Sequence, residues 1–292
     1  MTCQGKKWDT LLKYQTMPEL GIVDMREIIL AVKSDFAYDF GNYALTSLKQ
    51  RLERIMAMYN IGNAEGLVRK LRNDRSFFDT FLYEISVPST EMFRDPSLWR
   101  WLSEEYFPGV VDKITGKFKI WLPSCVSGAE LYSLAILISE AGLLDKVHII
   151  ASCLSNKSIE VMKSGLYDLK KMEVSEENYK RVNSANELST YYKSGHNYAL
   201  RDTRLIQNVE FNKLNINFDN APQNIRLILF RNSMIYFNPS QQEKILHVIF
   251  NSLSSSGHLV VGIREKISGM NTGRDFEFIN ETESVYRKRI LS

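Results

Sequence analysis

A segment in the middle of the chain alternates between strand and helix patterns, and few folds accept that order. An apolar run of strand length at 118–122 precedes a small, polar stretch at 123–130 and an apolar helical pattern. A second strand pattern at 147–152 is followed by Ser155 or Asn156, either of which can cap the next helix. Strand, turn, helix and strand form a crossover unit with parallel strands and helices on the faces of the sheet. The sequence therefore predicts an α/β fold.

A later apolar run, at 225–230, has the pattern of a buried strand. It ends at Arg231 and Asn232, and the pair Tyr236 and Phe237 follows about one turn later. In open α/β sheets ligands bind at the carboxyl ends of the strands, where polar groups such as these lie. The alternative is an ordinary core strand that ends in a solvated turn.

The first third of the chain has helical periodicity throughout. Apolar residues recur at helical spacing in 25–33 and 45–56, and two further helices are expected at 63–71, capped by Asn63, and at 76–85. No alternating strand pattern interrupts them. Residues 1–20 are polar, show no periodicity and are expected to be poorly ordered.

These patterns divide the chain into an N-terminal helical domain at 1–88, a junction at 89–116 and an α/β domain at 117–292. In the junction, Ser89 or Thr90 can cap a following helix and Pro96 can open one. The region 165–205 breaks the alternation and predicts a small inserted subdomain, with a short helix and then an excursion or hairpin. A serine-rich turn at 254–257 is expected before a strand at 258–263, and the alternating segments at 276–278 and 285–287 predict an antiparallel pair that closes the sheet.

Composition gives no support for a nucleic-acid-binding, metal-binding, secreted or membrane protein. With 44% hydrophobic residues among 292, the chain is an ordinary globular one, and a formal net charge of +3 gives no case for nucleic acid as the default partner. Cys3, Cys125 and Cys153 are too few and too scattered for a disulfide framework or a zinc site, so no metal is expected. The N-terminus lacks the apolar core of a secretory leader, and no apolar run approaches the ~20 residues that a membrane helix needs. Both observations favour a cytoplasmic protein.

The turn after the first strand is where a crossover unit binds ligands, because small residues let backbone N–H groups approach closely. Here the turn holds Gly128 without a second glycine. An acid after the second strand usually holds the ribose of an adenosine ligand, but this chain has Cys153 and Ser155 there. The residues thus indicate a nucleoside-binding α/β domain with a compromised site. Cys125 and Cys153 have no histidine beside them in sequence, which favours buried thiols over nucleophiles.

Several blocks of the sequence resemble, in order, the signatures of CheR-type chemoreceptor glutamate methyltransferases. The resemblance extends over residues 20–290, and the block at 230–237 is its most specific part. The blocks are Glu-Met-Phe-Arg-Asp-Pro at 91–96, Ser-Gly-Ala-Glu-Leu-Tyr-Ser at 127–133, Ser-Gly-Leu-Tyr at 164–167, Leu-Asn at 214–215, Phe-Arg-Asn-Ser-Met-Ile-Tyr-Phe at 230–237, and 254–262 with Glu265.

The resemblance implies a Rossmann-like S-adenosylmethionine-dependent methyltransferase domain preceded by a small all-helical domain. It implies methyl transfer to a glutamate side chain of a receptor helix, with S-adenosylhomocysteine as the product. By position, Thr90 and Arg94 would reach the cofactor from the junction, and Arg94 would hold the methionine carboxylate with its planar fork. Glu130 would accept from the amino group of the cofactor.

The resemblance also assigns the other end of the cofactor and the acceptor. Asn215, Ile216, Phe230 and Arg231 would line the adenosine end and the pocket floor. Tyr236 would lie near the transferred methyl group and orient the acceptor carboxylate. A carboxylate with a pKa near ~4 is already ionised at neutral pH, so the reaction needs positioning and exclusion of water more than a general base.

The chain also departs from the family pattern. The family has acids at the positions of Cys153 and Ser155, a glutamate at Ala129, a proline at Leu131 and commonly an aspartate at Arg226. Loss of the carboxylate at the Cys153 position should cost about 1–3 kcal/mol of cofactor binding, because the ribose hydroxyls lose a charged acceptor. By this estimate the affinity falls roughly ten- to hundred-fold, which weakens binding without preventing it.

Two functions from different classes follow. The first is a divergent but active protein methyltransferase. The second is a non-catalytic relative that serves as a binding or scaffold module of a signalling complex, and a small-molecule methyltransferase is a weaker third reading. For the first, the partner is expected to be an acidic helix of a chemoreceptor-like protein, since basic residues recur in the helical domain: Lys49, Arg51, Arg54, Arg69 and Arg72.

Overall fold

The computed structural model describes residues 18–86, 90–110, 116–183, 185–214 and 220–289. These residues form two compact units. The first consists of the described residues up to Gly41 together with Leu45–Phe78, and the second consists of Asn42–Ala44 and the chain from Asp79 onward. The expected disorder of residues 1–20 lies almost wholly outside the described residues. No helix within the described ranges is long and apolar enough to cross a membrane.

The described part of the first unit is all helical, as predicted. Helices α1 (Ile22–Phe36), α2 (Leu45–Met58) and α3 (Ala64–Asn73) are followed by α4 (Arg75–Ile85), which begins in the first unit and ends in the second. Asn63 caps α3 as expected, because its side chain accepts a hydrogen bond from the Gly66 N–H. The core of the unit contains Met25, Ile28, Val32, Leu48, Leu52, Ile55, Leu67, Val68 and Leu71, all at most 5% exposed.

One residue of the predicted basic surface is buried. Arg51 is only 8% exposed. It follows Leu48 by three positions and precedes Ile55 by four, so helical geometry places it on the apolar side of α2. Arg69, by contrast, has a side chain that is 70% exposed. Arg51 therefore does not belong to the exposed basic surface that the sequence predicted.

The junction forms a helix later than Thr90. Helix α5 (Pro96–Trp101) continues through a π-helical turn at Leu102–Tyr106 into α6 (Phe107–Val110). Pro96 opens α5 as predicted, since its fixed φ suits a first helical turn. The cap position of α5 is Asp95. No helix begins between Thr90 and Pro96, so Thr90 does not act as the cap that was expected, and Ser89 lies outside the described residues.

The second unit contains a mostly parallel sheet of seven strands in the order β6-β2-β1-β7-β8-β10-β9. Its parallel strands are β1 (Phe118–Leu122), β2 (Val147–Cys153), β6 (Glu210–Lys213), β7 (Ile225–Phe230) and β8 (Leu253–Val261). The apolar residues of β7 are at most 1% exposed, because this strand lies between β1 and β8. Both the α/β class and the buried strand at 225–230 are thus confirmed.

Three further helices lie in this unit. They are α7 (Ala129–Glu140), α8 (Asn156–Ser164) and α10 (Pro239–Ser252). Ser155, and not Asn156, caps α8, and its side chain accepts from the Ser158 N–H. Helix α7 is buried all round, with residues 131–138 at most 2% exposed, and it forms the centre of the core.

The far end of the sheet is antiparallel, as the sequence indicated. Strands β9 (Phe276–Asn280) and β10 (Val285–Lys288) pair with each other, and β10 pairs with β8. The turn expected at 254–257 is instead part of β8, so that prediction is wrong. Gly257 lies so close to β7 that a Cβ there would be 2.7 Å from the carbonyl oxygen of Ile225. The glycine therefore serves close strand packing and not a turn.

The region 165–205 forms a small subdomain with a sheet of its own. Its strands β3 (Leu166–Asp168), β4 (Tyr192–Ser194) and β5 (Tyr198–Arg201) are antiparallel, in the order β3-β5-β4. The helix expected to be short is α9 (Leu169–Val182), which has 14 residues. It contacts α7, because the Tyr179 hydroxyl donates to the Glu140 carboxylate.

Candidate functional site

A cavity lies at the carboxyl ends of β1 and β7, the edge of the sheet at which ligands are expected. Three segments meet there: the end of the junction, the turn between β1 and α7, and the residues that follow β7. The cavity is lined by Thr90, Glu91, Phe93, Arg94, Trp99, residues 124–130 and residues 231–233. Thr90, Arg94, Glu130 and Arg231, all predicted from the sequence, are among these.

The turn between β1 and α7 depends on a glycine. Gly128 has a φ of +76°, which L side chains rarely adopt. A Cβ there would also lie 2.8 Å from the Met162 side chain. Gly128 precedes the first residue of α7 and borders the cavity, so the N-terminal end of a 12-residue helix begins at this edge. Such an end attracts anions and polar groups through its N–H groups.

Arg231 connects the three segments. Its side chain is only 3% exposed, and Nη2 lies 2.6 Å from Asp95 Oδ2 while Nη1 lies 2.8 Å from Glu130 Oε1. Nη2 also donates to the backbone carbonyl of Arg94 at 3.2 Å. One buried cation thus binds two carboxylates, one from the junction and one from α7. The role of Asp95 was not anticipated, although it directly follows Arg94 in the quoted block.

Glu130 presents a carboxylate to the cavity, and its side chain is 25% exposed. Burial raises the pKa of this carboxyl, and Arg231 opposes that rise. Asp95 and Glu265 act in the same direction as burial. The Arg231 guanidinium is therefore the group that favours the charged form of Glu130.

Arg94 lies on a backbone segment that is tied down on both sides. Phe93 and Asp95, its neighbours, have φ values of 54° and 58°, which are rare for residues other than glycine. The Phe93 N–H donates to Ser133 Oγ at 2.8 Å, and the Trp99 indole donates to the Arg94 carbonyl at 2.8 Å. The Arg94 side chain is 42% exposed and 3.9 Å from Glu91. A rigid backbone thus carries a guanidinium that is open to the cavity.

Glu265 organises the residues after β7, and sequence analysis did not give it a role. It is 5% exposed. Its carboxylate accepts hydrogen bonds from the N–H groups of Asn232, Met234 and Gly262 at 2.7, 2.7 and 2.8 Å, and from Ile235 at 3.3 Å. Burial raises its pKa, and these N–H groups counteract the rise. The glutamate holds the Arg231 loop against the end of β8.

The position of the expected ribose acid is apolar. Cys153 is 3% exposed at the end of β2 and does not border the cavity. Burial, opposed by a hydrogen bond with the Ser155 backbone and aided by the charge of Asp79, raises the pKa of its thiol to about 12. Cys125 borders the cavity, but burial raises its pKa well above the ordinary value too. Both thiols are neutral and buried, which agrees with the prediction that they are buried thiols and not nucleophiles.

The remaining predicted residues lie apart from the described cavity or outside the described chain. Phe230, at the end of β7, is 0% exposed, and its side chain belongs to the core. Tyr236 is half-buried in a 3-10 turn, Met234–Tyr236, and its carbonyl accepts from the Ala44 N–H at 2.8 Å. Asn215 and Ile216 lie outside the described residues. No cluster of His, Cys, Asp and Glu among the described residues could hold a metal ion.

The chain matches two family models in sequence. The one described as "CheR methyltransferase, SAM binding domain" matches residues 88–285, and "CheR methyltransferase, all-alpha domain" matches residues 24–86. The two matches together extend over most of the chain, in the same order as its helical and α/β parts.

Curated relatives match over most of their length. A Pseudomonas putida protein named "Putative methyltransferase Cher3" is 29% identical over 91% of this chain and 97% of its own. A "Chemotaxis protein methyltransferase" of Listeria innocua is 25% identical over 81% of this chain and 87% of its own. "Chemotaxis protein methyltransferase 1" of Pseudomonas aeruginosa is 26% identical over 76% and 82%.

Among solved structures, the N-methyltransferase NodS of Bradyrhizobium japonicum, in complex with S-adenosylhomocysteine, is 10% identical with a TM-score of 0.39. The match covers 68% of this chain and 88% of that one. A likeness of this size supports no conclusion about function. The cavity itself contains the exposed guanidinium of Arg94, the carboxylate of Glu130 and the Gly128 turn at the start of a helix. These groups suit a ligand that consists of an amino acid attached to a nucleoside. The chain belongs to the CheR methyltransferase family, and residues 88–285 are the S-adenosylmethionine-binding domain of that family.

Proposed function

We propose that this protein transfers a methyl group from S-adenosylmethionine to a glutamate side-chain carboxylate of a chemoreceptor-like signalling protein in the cytoplasm. The observation that carries the proposal is the charged frame of Arg94, Glu130 and Arg231 in one cavity at the carboxyl edge of the sheet. Two relatives named as chemotaxis protein methyltransferases, 25% and 26% identical, support the choice of a chemotaxis protein as acceptor.

Each residue of the frame has a proposed task. Arg94, with its exposed guanidinium, would hold the carboxylate of the amino-acid part of the cofactor by a charge-assisted pair of hydrogen bonds. Glu130, paired with Arg231, would accept from the amino group. Thr90 and the Ser127–Gly128 turn would border the same part of the cofactor.

The chemistry asks little of the protein in proton transfer. When bound, S-adenosylmethionine would supply a methyl group attached to a positive sulfonium. The methyl carbon accepts an electron pair from a carboxylate oxygen, and the carbon–sulfur bond breaks to give a neutral thioether. A glutamate carboxylate is ionised at neutral pH, with a reference pKa of about 4.3, so no base has to prepare it. Tyr236 would orient that carboxylate. The buried thiols of Cys125 and Cys153 have no part in this scheme.

The binding step is testable by calorimetric titration of the protein with S-adenosylhomocysteine. We expect micromolar affinity, and we expect Arg94→Ala to weaken it ten- to hundred-fold, because a hydrogen bond to a charged group contributes about 1.5–3 kcal/mol. A matched control is Arg287→Ala, whose arginine is 44% exposed on β10 outside the cavity. It should bind as the unmodified protein does. Equal affinity of the Arg94→Ala variant would remove Arg94 from the site.

The transfer step needs a second measurement. The protein is incubated with methyl-labelled S-adenosylmethionine and the cytoplasmic fragment of a chemoreceptor, and the product is treated with alkali. Label released as methanol identifies an ester, since methyl groups on nitrogen or sulfur resist alkali. Two results would favour the alternative, a non-catalytic scaffold module: cofactor binding without transfer, or no binding by folded protein. The buried thiol at Cys153, where the family has an acid, is the observation that supports this alternative.

A further inference from the structure

Arg201, the last residue of β5, is a buried arginine outside the cavity. It is 2% exposed, and each acceptor that its guanidinium reaches among the described residues is a backbone carbonyl. Nη2 lies 3.0 Å from the Ser127 oxygen and 3.3 Å from the Leu166 oxygen, and Nε lies 3.2 Å from the Gly165 oxygen. Nη1 has no hydrogen-bond partner within the described chain. Such a buried cation is costly and is kept only where its contacts are specific.

Two tyrosine rings enclose the guanidinium. Its Cζ lies 4.0 Å from the ring centre of Tyr132, on α7, and 4.5 Å from that of Tyr167, on β3. Cation–π contacts with desolvated rings are attractive, which offsets part of the cost of burial. Burial lowers the pKa of Arg201 to about 10, so the group stays charged at neutral pH.

Three contacts of Arg201, with Ser127, Tyr167 and Tyr132, connect it to residues at the cavity. Ser127, whose carbonyl it binds, precedes Gly128, and both border the cavity. The Tyr167 hydroxyl donates to the carbonyl of Thr90 at 2.5 Å, and Thr90 also borders the cavity. The Tyr132 hydroxyl donates to the carbonyl of Met162, the residue against which Gly128 packs. One side chain therefore binds the Ser127–Gly128 turn directly and packs against Tyr167, which binds the Thr90 carbonyl.

We propose that Arg201 is a positioning residue for cofactor binding, which fixes the Ser127–Gly128 turn and, through Tyr167, Thr90. The small three-stranded sheet would then take part in the cofactor site without touching the cofactor. The inference rests on the proposed function only in its choice of ligand, because the contacts of Arg201 are all with other residues of the protein. A lysine cannot replace the arginine, because it lacks the planar fork that lies between two rings while donating to several carbonyls.

The test compares Arg201→Lys and Arg201→Met with Leu246→Ala. Leu246 is a core residue of α10, 0% exposed and outside the cavity, and its truncation gives a destabilised control. Affinity for S-adenosylhomocysteine is measured at a temperature at which every variant is folded. We expect both Arg201 variants to bind at least about tenfold more weakly and Leu246→Ala to bind as the unmodified protein does. Unchanged affinity in the Arg201 variants, or an equal loss in Leu246→Ala, would overturn the proposal.

Hydrogen exchange without ligand separates this inference from the proposed function. In Arg201→Met, amides in peptides spanning 124–132 and 90–94 should exchange faster than in the unmodified protein, and in Leu246→Ala they should not. Slow exchange in those peptides of Arg201→Met would contradict the positioning role even if the cofactor binds. Faster exchange together with no binding by the unmodified protein would leave the positioning role intact and refute the proposed ligand.

Discussion

Arg231 shows how one side chain governs the charge of the candidate site. It is almost fully buried between Asp95 and Glu130, so two carboxylates face one guanidinium. Sequence analysis placed Arg231 and Glu130 in the site through their motifs, and the structure brings both to the cavity. Their pairing could not be predicted, because 101 residues separate them in the chain. The assigned tasks of these residues toward the cofactor stay predictions.

Cys153 gives the sharpest prediction for a single residue. Replacement by aspartate, Cys153→Asp, restores the acid that the family has at this position, so we expect affinity for S-adenosylhomocysteine to rise about tenfold through hydrogen bonds to a charged acceptor. Calorimetry measures the change. The matched control is Cys153→Asn, which has the shape of aspartate without its charge and should not gain affinity. Equal affinities of the two variants would show that the ribose lies elsewhere.

Strand β8 illustrates how an element can differ from its sequence pattern. The serines at 254–256 suggested a turn, yet they belong to β8, at the place where its register with β7 shifts. The same strand carries His258, whose Nδ1 lies 3.1 Å from the Tyr106 hydroxyl. Burial, aided by the charges of Arg287 and Arg226, lowers the pKa of His258 to about 4, while its ordinary value is 6.5.

This histidine makes the stability of the second unit sensitive to acid. As the pH falls from about 6.5 to about 4, the unfolded chain binds a proton at His258 that the folded chain does not, so stability is lost across that window. The slope is at most about 1.4 kcal/mol per pH unit. In urea titrations at pH 7 and pH 5, His258→Asn should reduce the loss of unfolding free energy by roughly 1–2 kcal/mol. An unchanged pH dependence would mean that His258 is already neutral in the unfolded chain or protonated in the folded one.

The two units of the molecule are expected to have separate tasks. Cofactor binding would belong to the second unit, which contains the whole described cavity. Recognition of an acidic receptor helix would involve the first unit, where Arg69 is 70% exposed and Arg54 is half-buried, while the buried Arg51 is no longer a candidate.

Charge reversal tests this division. Arg54→Glu with Arg69→Glu should lower kcat/KM for a receptor fragment by about tenfold or more at low salt and leave the affinity for S-adenosylhomocysteine within a factor of about two, since exposed charges act over about a Debye length. Lys244→Glu, an exposed change on α10, is the control and should alter neither quantity. Unchanged transfer in the double variant would exclude these arginines from acceptor binding.

The order of helices and strands, the parallel sheet and the caps at Asn63 and Ser155 followed from the sequence, because periodicity and capping depend on neighbours only a few residues away. Of the residues named through the family motifs, Thr90, Arg94, Glu130 and Arg231 line the cavity, whereas Cys153 and Phe230 do not. The tertiary structure alone supplied the partners of Arg231, the four N–H groups around Glu265, the enclosure of Arg201 and the burial of Arg51. These features join residues far apart in the chain, and a side chain's burial depends on which face of its element another element covers.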